Sequence, residues 1–324
     1  MPRAVVMRAP GGPEVLELQS IDVGAPGPGQ VRLRQTAVGV NFHDIYVRNG
    51  LYKTLPLPGI PGLEAVGVVE AAGPSVDNVK VGDRVGCLTI SYGGSAEMRL
   101  ADAGTLIKLP DEIDDRTAAA TLLRGLTARM LVHHVHEIRP GVTVLVHAAA
   151  GGVGRLLCQW AQHLGATVIG TAGSEEKARS ARQSGCDHVI LYRTDDFVEG
   201  VRAITGGCGV DVVYDSVGKD TFMGSMTCLA RLGHMVNFGQ ASGPVDPIPM
   251  SLLFQKSNSV TRPNLFHYLA DPPRREEMTA ALFKALVDGV ITPGAINEYR
   301  FEDVGRAQHE MEQRKTAGAV MLRV

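Results

Sequence analysis

The sequence of 324 residues contains few cysteines, few aromatic residues and no long apolar run. Its five cysteines are odd in number and none form a C-x-x-C pair, so neither a disulfide framework nor a four-cysteine zinc lobe is expected. The N-terminal apolar run is too short for a signal peptide. No stretch approaches the ~18 apolar residues of a transmembrane helix. We therefore expect a cytoplasmic protein with no membrane partner.

Charge of one sign is also not in excess, since 32 Lys and Arg residues oppose 34 Asp and Glu residues, for a net charge of −2. Nucleic-acid binding needs a basic excess or a basic face, so we expect no nucleic-acid partner. Glycine, by contrast, is abundant, with 38 residues. Because these glycines have no fixed period, they are expected to serve turns and close approaches of the backbone.

Two patterns divide the chain and predict an α/β fold. Over residues 1–110, short β-forming runs alternate with glycine and proline clusters, which is typical of a barrel-like β domain. A helical stretch follows at 116–137, and then apolar strands alternate with single helices up to residue 239. That alternation predicts a parallel sheet covered by helices on both faces. A helix at 275–288 and a final strand at 318–324 are also predicted, but the pattern does not place them in the fold.

The segment VLVHAAAGGVGRLLCQWAQHLG carries the strongest motif, with the spacing Ala149-x-Gly151-x-x-Gly154 between a strand and an amphipathic helix. Small residues there let the backbone approach a pyrophosphate, and the helix N-terminus supplies N–H groups and a positive dipole end. The alternative is a glycine-rich turn without a ligand. The candidate cofactor residues in this loop are Ala150, Gly151, Gly152, Val153 and Gly154.

The nature of the cofactor is indicated at the end of the next strand. An NAD site usually has an acidic residue there for the ribose 2′-hydroxyl. This sequence has Ser174 instead, with Lys177 one turn later, and Tyr192 ends the following strand. A missing carboxylate and a nearby cation fit a 2′-phosphate, so NADPH is favoured over NADH. Lys177 as a solvated helix charge is the alternative.

Motifs along essentially the whole chain carry a family resemblance. They are GGPEVLEL (11–18), GVNFHDIYVRNGLY (39–52), PGLEAVGVVEAAG (61–73), GDRV (82–85), LLRGLTA (122–128), HAAAGGVGRLLCQWA (147–161), VVYDSVGKDTF (212–222) and VTRP (260–263). With these motifs the sequence resembles the zinc-free, zeta-crystallin-like quinone oxidoreductases of the medium-chain dehydrogenase/reductase superfamily.

The resemblance implies a fold of two domains. A chaperonin-10-like β-barrel catalytic domain would be built from residues 1–121 and 264–324, with a doubly wound Rossmann domain over 122–263 that binds NADPH in the interdomain cleft. A homodimer through the Rossmann domain is also implied, with residues 250–262 as the strand at the dimer edge.

The resemblance also implies a site without metal. Zinc-dependent relatives place ligands near the positions of Asn41, Leu63 and Arg124, and the side chains present here cannot form the nitrogen and sulfur set of a catalytic zinc. His133 and His136 are three residues apart in an HHVH cluster, but no further ligand is indicated. We interpret that cluster as a solvated helix end.

Hydrogen-bond donors must then stabilise the oxyanion that forms on hydride transfer. The resemblance assigns this role to Asn41, Tyr46 and Tyr52. His43 stands where zinc relatives carry a proton relay, so we hypothesise that it relays a proton. The structural alternatives are a turn-forming Asn41, tyrosines that only pack, and a His43 with no role. Further candidate cofactor residues are Arg124, Thr127, and Phe238 and Gly239 at the end of the fifth strand, where a dinucleotide would cross the sheet. Arg124 could instead balance a substrate oxyanion or pair with Asp44 or Glu64. Arg262 and Gly318 are carried over by the resemblance.

The expected activity is NADPH-dependent reduction of a small planar quinone. Reduction of the C=C bond of enones or alkenals is the alternative activity, because both reactions need a planar, conjugated acceptor. A third hypothesis, from a different class, is a crystallin-like protein that binds NADPH or RNA without turnover.

Overall fold

The structure is a computed structural model that describes residues 1–324. By its internal contacts the chain forms two compact units. Unit 1 comprises Met1–Leu123 and Pro293–Val324, and unit 2 comprises Arg124–Thr292. The second boundary differs from the one implied by the resemblance, which lay between residues 263 and 264.

Strands and helices are numbered in chain order. The strands are β1 (Arg3–Val6), β2 (Glu17–Ser20), β3 (Gln30–Gly39), β4 (Glu64–Ala72), β5 (Arg84–Leu88), β6 (Met98–Asp102), β7 (Leu106–Lys108), β8 (Thr143–Val146), β9 (Thr167–Ala172), β10 (His188–Leu191), β11 (Val210–Asp215), β12 (Leu229–Asn237), β13 (Ser259–Thr261), β14 (Ile296–Arg300) and β15 (Ala319–Arg323). The helices are α1 (Phe42–Arg48), α2 (Asp115–Arg129), α3 (Gly152–His163), α4 (Glu175–Gln183), α5 (Phe197–Ile204), α6 (Phe222–Cys228), α7 (Ser251–Phe254), α8 (Leu265–Leu269), α9 (Pro272–Val287) and α10 (Val304–Glu312).

Unit 1 is built on a seven-stranded sheet in which the order β14-β15-β3-β4-β5-β7 is extended by β6 on β3. All neighbouring strands of this sheet are antiparallel except β14 and β15. The pairing of β3 with β4 shifts register at two points, and such bulges bend a sheet. The β-rich N-terminal pattern is thus confirmed, and the predicted final strand is β15.

The short helix α1 is fixed to the core of unit 1 by apolar contacts. Ile45 is 2% exposed and packs in a cluster with Phe301 and Leu322. Because β3 ends at Gly39 and α1 begins at Phe42, the residues between them are held at a strand–helix junction.

Unit 2 contains the predicted parallel sheet, with six strands in the order β10-β9-β8-β11-β12-β13. The strand that comes first in the chain, β8, lies in the middle. Chain connections therefore run in opposite directions from β8 and from β11. In open α/β sheets this switch point marks the crevice at the carboxyl ends of the strands where ligands bind.

Residues 264–292 group with unit 2 because helix α9 packs on α2. A Cβ added to Gly125 would overlap the Leu282 side chain, and Arg129 forms an ion pair with Glu277. The pattern of the sequence predicts this helix but does not say which surface it covers.

The segment 250–262 is not a continuous strand as implied. Its start is helical, as α7, and its pairing with β12 is limited to the three residues of β13.

Candidate functional site

The loop after β8 turns sharply at Ala148, which has a left-handed backbone with φ of +53°. The carbonyl oxygen of Ala148 accepts the N–H of Gly151 at 2.8 Å. A Cβ on Gly154 would overlap that same oxygen, so this glycine lets helix α3 pack against the turn. The strand–loop–helix arrangement predicted from the fingerprint spacing is therefore present.

The first turn of α3 offers backbone donors. Gly151 is the N-cap and provides no side-chain cap. Gly151, Gly152 and Val153 are half-buried, and Ala150 is 4% exposed. The first N–H groups of a helix lack intrahelical acceptors and lie at its positive dipole end, so this loop has the geometry of an anion site.

At the carboxyl ends of β9 and β10 the structure brings together Ser174, Lys177 and Tyr192. Ser174 caps α4, and its Oγ accepts the backbone N–H of Lys177 at 3.3 Å. The Tyr192 hydroxyl lies over Gly173, where a Cβ would come within 2.6 Å of it. The hydroxyls of Ser174 and Tyr192 and the backbone of Lys177 thus border the same strand end, where no carboxylate occupies position 173 or 174.

Phe238 and Gly239 follow β12 and are held by their backbone, since both donate to the Asp215 carbonyl oxygen, at 2.9 and 3.3 Å. The Arg262 guanidinium donates to the Asn237 side chain and approaches the Gly239 carbonyl oxygen at 3.5 Å. Arg262 therefore supports the end of β12, which is a positioning contact that the resemblance did not specify.

Two further predicted cofactor residues lie one turn apart on α2. Arg124 is 4% exposed and Thr127 is half-buried. Their spacing of three residues puts both on one face of the helix.

In unit 1, Asn41 is a buried junction residue. It is the N-cap of α1 and is 5% exposed. Its Nδ2 donates to Glu64 Oε2 at 2.8 Å, and its backbone N–H donates to Asp44 Oδ2 at 2.7 Å. The Glu64 carboxylate, itself 0% exposed, also accepts the Leu123 N–H at 2.7 Å. A Cβ on Gly39 would overlap Glu64, so Gly39 provides the space for this carboxylate.

The predicted aromatic residues form one cluster. The Tyr52 ring stands edge-on to His43 at 5.2 Å and to Tyr46 at 5.1 Å between ring centroids. His43 Nε2 lies 3.1 Å from the Tyr92 hydroxyl, which also contacts Thr54. Asn41, His43, Tyr46 and Tyr52 thus meet at the start of α1 and the loop after it.

Burial lowers the pKa of His43 to about 4, so its ring is neutral at pH 7. Desolvation likewise raises the pKa of the Tyr92 hydroxyl. Both groups of this hydrogen bond are therefore neutral near neutral pH.

A cavity of about 260 Å³ opens beside the aromatic cluster. Its wall is apolar apart from Tyr52 and Lys53. The lining residues are Met7, Pro10, Val47, Gly50, Tyr52, Lys53, Leu55 and Leu57. An apolar wall with a few polar groups suits a small planar molecule.

The last of the predicted cofactor residues is Gly318. It lies in unit 1 in the turn before β15, with φ of +77° and no room for a Cβ beside the Ala295 carbonyl oxygen. Both features favour glycine at this position.

The HHVH cluster does not converge on one point. His133 stands edge-on to Trp160, His134 faces Glu277 at 3.4 Å, and His136 Nδ1 lies 3.3 Å from His234 Nδ1. His134 is exposed, as expected of a solvated helix end, whereas His133 and His136 are half-buried, and burial lowers the pKa of His133 to about 4.

The structure holds no group of three or more His, Cys, Asp or Glu side chains that could bind a metal ion. The side chains of Asn41 and Leu63 offer neither a thiolate nor an imidazole, so they do not fit the donor set of zinc.

The residues of unit 2 do fit a dinucleotide phosphate. The uncapped turn of α3 supplies N–H donors, and Ser174 and Lys177 supply a hydroxyl and a cation. Arg155, in the first turn of α3, donates to Ser180 at 3.1 Å while its Nε is buried without a hydrogen-bond partner. Glu175 is exposed in the first turn of α4, where it faces the positive dipole end.

Several residues of these sites are not evident from sequence patterns. Thr171 and His147 contact each other below the glycine loop, and Tyr92 joins the aromatic cluster from another segment. Polar residues at the ends of buried strands are a usable signal for Thr171 and His147. The sequence around Tyr92 does not indicate that it joins the cluster. Its backbone is left-handed, with φ of +59°, a conformation that a tyrosine rarely adopts.

Two family models match the chain. The model described as "Alcohol dehydrogenase GroES-like domain" matches residues 27–111, and that described as "Zinc-binding dehydrogenase" matches residues 152–283. A quinone oxidoreductase from Pseudomonas aeruginosa is 43% identical over 99% of both chains. This chain belongs to the zeta-crystallin-like quinone oxidoreductase family of the medium-chain dehydrogenase/reductase superfamily.

Family membership confirms the predicted combination of a chaperonin-10-like domain with a Rossmann domain. A crystal structure of Escherichia coli quinone oxidoreductase complexed with NADPH is 40% identical, covers 99% of this chain and 100% of its own, and has a TM-score of 0.97. A 2-haloacrylate reductase from Burkholderia sp is 44% identical over 99% of both chains. No helix of this oxidoreductase is long and apolar enough to cross a membrane.

Proposed function

We propose that this chain reduces quinones with NADPH and without a metal ion. The observation that carries the proposal is the full-length similarity to quinone oxidoreductases, of which the Escherichia coli protein is complexed with NADPH. The balanced reaction is NADPH, a proton and a quinone giving NADP⁺ and a hydroquinone. Bound NADPH supplies the hydride.

The residues of unit 2 are proposed to bind and orient this cofactor. The α3 N-terminus and its loop, Ala150 to Gly154, would hold the pyrophosphate. Ser174, Lys177 and Tyr192 would hold the 2′-phosphate of the adenosine ribose. A measured preference for NADPH over NADH by titration tests this assignment, and equal affinities would contradict it.

The residues of unit 1 are proposed to bind the quinone and to stabilise the charge that develops on it. Tyr46 and Tyr52 would wall a planar ring and donate hydrogen bonds to a developing oxyanion. Asn41 supports this arrangement as the N-cap of α1, and its amide is fixed by donation to Glu64. His43 would move a proton as a neutral ring through its hydrogen bond to the Tyr92 hydroxyl, because its pKa of about 4 prevents it from carrying a stable positive charge at pH 7.

A second candidate activity is reduction of an activated C=C bond. The observation that favours it is the 44% identity to 2-haloacrylate reductase over essentially the full chain. The cavity adds support, since Lys53 is the one cation on its wall and suits an acceptor with a carboxylate.

One assay separates the two activities. NADPH oxidation is followed with 1,4-benzoquinone and 9,10-phenanthrenequinone beside enones and 2-haloacrylate. Faster turnover of the quinones supports the first proposal, and turnover of the unsaturated acids alone overturns it. Tight NADPH binding with no turnover and with RNA retained at physiological salt would favour the crystallin-like binding protein instead.

We also propose a cytoplasmic homodimer joined through the Rossmann domain. All five cysteines are unpaired thiols, which suits a reducing compartment. Strand β13 is the edge of its sheet, and Leu232, Met250 and Phe254 nearby are 73%, 77% and 86% exposed. Light scattering on the purified chain and on Phe254→Lys tests the dimer. A monomeric wild-type chain at micromolar concentration would refute it.

A further inference from the structure

The turn that starts the glycine loop is made by a residue that does not favour it. Ala148 has φ of +53°, in the left-handed region that a Cβ disfavours. Such a conformation persists where neighbouring groups hold it in place. The contacts of Ala148 therefore decide where the loop backbone lies.

Thr171, on the neighbouring strand β9, accepts the backbone N–H groups of both Ala148 and Ala149. The Thr171 hydroxyl oxygen accepts the Ala148 N–H at 3.3 Å, and the Thr171 carbonyl oxygen accepts the Ala149 N–H at 3.0 Å. Thr171 is 2% exposed on β9, so water does not replace its hydroxyl.

The Thr171 hydroxyl is itself fixed by a buried imidazole. His147 Nδ1 lies 3.1 Å from Thr171 Oγ1, and His147 Nε2 lies 2.8 Å from Ser225 Oγ. The imidazole also stands edge-on to the Phe197 ring at 5.0 Å. His147 is 2% exposed and Ser225 is 0% exposed, so the bonded groups are shielded from water.

The imidazole of His147 can satisfy both partners in its neutral state. Burial lowers its pKa, which keeps the ring uncharged. In either neutral tautomer one ring nitrogen donates and the other accepts, and the hydroxyls of Thr171 and Ser225 can take the complementary roles. The buried side chains of Ser225, His147 and Thr171 thus form a continuous hydrogen-bond network that ends on the backbone N–H of Ala148.

We propose that Thr171 and His147 are positioning residues that hold the Ala148 turn in the shape that binds NADPH. The inference rests on the proposed function of the loop. Neither side chain needs to touch the cofactor, since they act through the backbone of Ala148. A loop already in its bound shape loses less entropy on binding, so the network raises cofactor affinity.

The test compares Thr171→Val with Thr171→Ser. Valine has the shape of threonine but removes the hydroxyl that accepts the Ala148 N–H, whereas serine keeps that hydroxyl. We expect Thr171→Val to weaken NADPH binding about tenfold in a fluorescence titration, and Thr171→Ser to restore most of it. Turnover at saturating NADPH and the KM for quinone should change less than about twofold, because the network acts on cofactor binding.

A second readout does not need the cofactor. In the NADPH-free protein, amide hydrogen exchange at residues 148–151 should be faster in Thr171→Val than in Thr171→Ser. His147→Leu should give the same pattern, while His147→Asn, which keeps a polar atom near the Nδ1 position, should be milder. Thr279→Val is the matched control, since Thr279 is a buried threonine of unit 2 that donates to the Arg275 carbonyl oxygen, away from the loop.

The outcomes are separable. If Thr171→Val binds NADPH like the wild type, the positioning role is overturned and the proposed function stands. If Thr279→Val weakens NADPH as much as Thr171→Val, the effect is general destabilisation and the inference also fails. If the wild-type chain binds no NADPH, the proposed function and the inference fall together.

Discussion

The sharpest structural prediction concerns Arg48, a charged side chain that is 2% exposed at the end of α1. Its Nη2 lies 2.6 Å from Glu312 Oε2, its Nη1 donates to Gln308 Oε1 at 2.9 Å, and its Nε donates to the Gly11 carbonyl oxygen at 3.3 Å. Helix α1 has seven residues and cannot be stable alone. We predict that Arg48→Met destabilises unit 1 strongly.

The magnitude follows from the groups left behind. Removing one partner of a buried ion pair costs about 3–5 kcal/mol. Here the Glu312 side chain is 29% exposed, so water compensates it in part and lowers the cost. The Gln308 oxygen stays buried at 2% exposure, and a buried polar group without a partner costs about 1–3 kcal/mol. Together these terms place the loss near the lower limit for a buried pair, about 3 kcal/mol.

The assay is equilibrium urea unfolding followed by two signals. The one tryptophan, Trp160, lies in unit 2, so its fluorescence reports that unit, whereas far-UV circular dichroism reports both. We expect Arg48→Met to lower the urea concentration at which the dichroism signal of unit 1 is lost. The transition followed by Trp160 fluorescence should stay at the wild-type urea concentration. Turnover should fall as well, because α1 carries His43 and Tyr46.

The control is Arg48→Lys, which keeps the charge but loses the planar fork that reaches three acceptors. It should fall between the wild type and Arg48→Met. If Arg48→Met is as stable as the wild type, the ion pair contributes no net stability and the reasoning is wrong. If Arg48→Lys is as damaging as Arg48→Met, the shape of the side chain matters and its charge does not.

Three further predictions concern the proposed sites. Gly154→Ala should weaken NADPH binding more than about tenfold, because its Cβ would overlap the Ala148 carbonyl oxygen; Gly104→Ala, whose Cβ would meet only the Asp102 side chain, at 3.3 Å, should bind normally in the same titration. Lys177→Met should weaken NADPH more than NADH, and this selective loss should shrink as salt is raised; equal losses would argue against a 2′-phosphate contact. Burial lowers the pKa of His43 from 6.5 to about 4, so the unfolded state binds more protons in that window and stability is lost as pH falls from 6.5 towards 4. In urea unfolding, His43→Gln should therefore lose less stability than the wild type between pH 7 and pH 4.5, and identical pH profiles would contradict this assignment.

The elements of unit 2 were largely predictable because their signal is local. The loop spacing and the apolar stripe of α3 predict a helix over 153–164, and the structure has it at Gly152–His163. Strand order was not predictable in this way, because pairing joins segments far apart in the chain. The same limit applies to α9, whose periodicity predicts a helix but whose packing, through Leu282 against Gly125 of α2, is a long-range contact.

The residues proposed to contact the quinone could be grouped because they lie close together in the sequence. Their protonation states, however, depend on residues that are distant in the sequence. An unperturbed histidine has a pKa of about 6.5, so from the sequence His43 is expected to gain and lose a proton near neutral pH. In the structure His43 is hydrogen-bonded to Tyr92. Its burial, by desolvation, lowers its pKa to about 4.

That shift changes what a relay through His43 would require. A neutral imidazole can pass a proton only by accepting one at one nitrogen and releasing another, so both nitrogens need partners. Nε2 has the Tyr92 hydroxyl, which extends to Thr54. The role of His43 therefore depends on the hydroxyl of Tyr92 as much as on the ring itself, so Tyr92→Phe should impair a relay as fully as His43→Ala, while a packing role for His43 would leave Tyr92→Phe active.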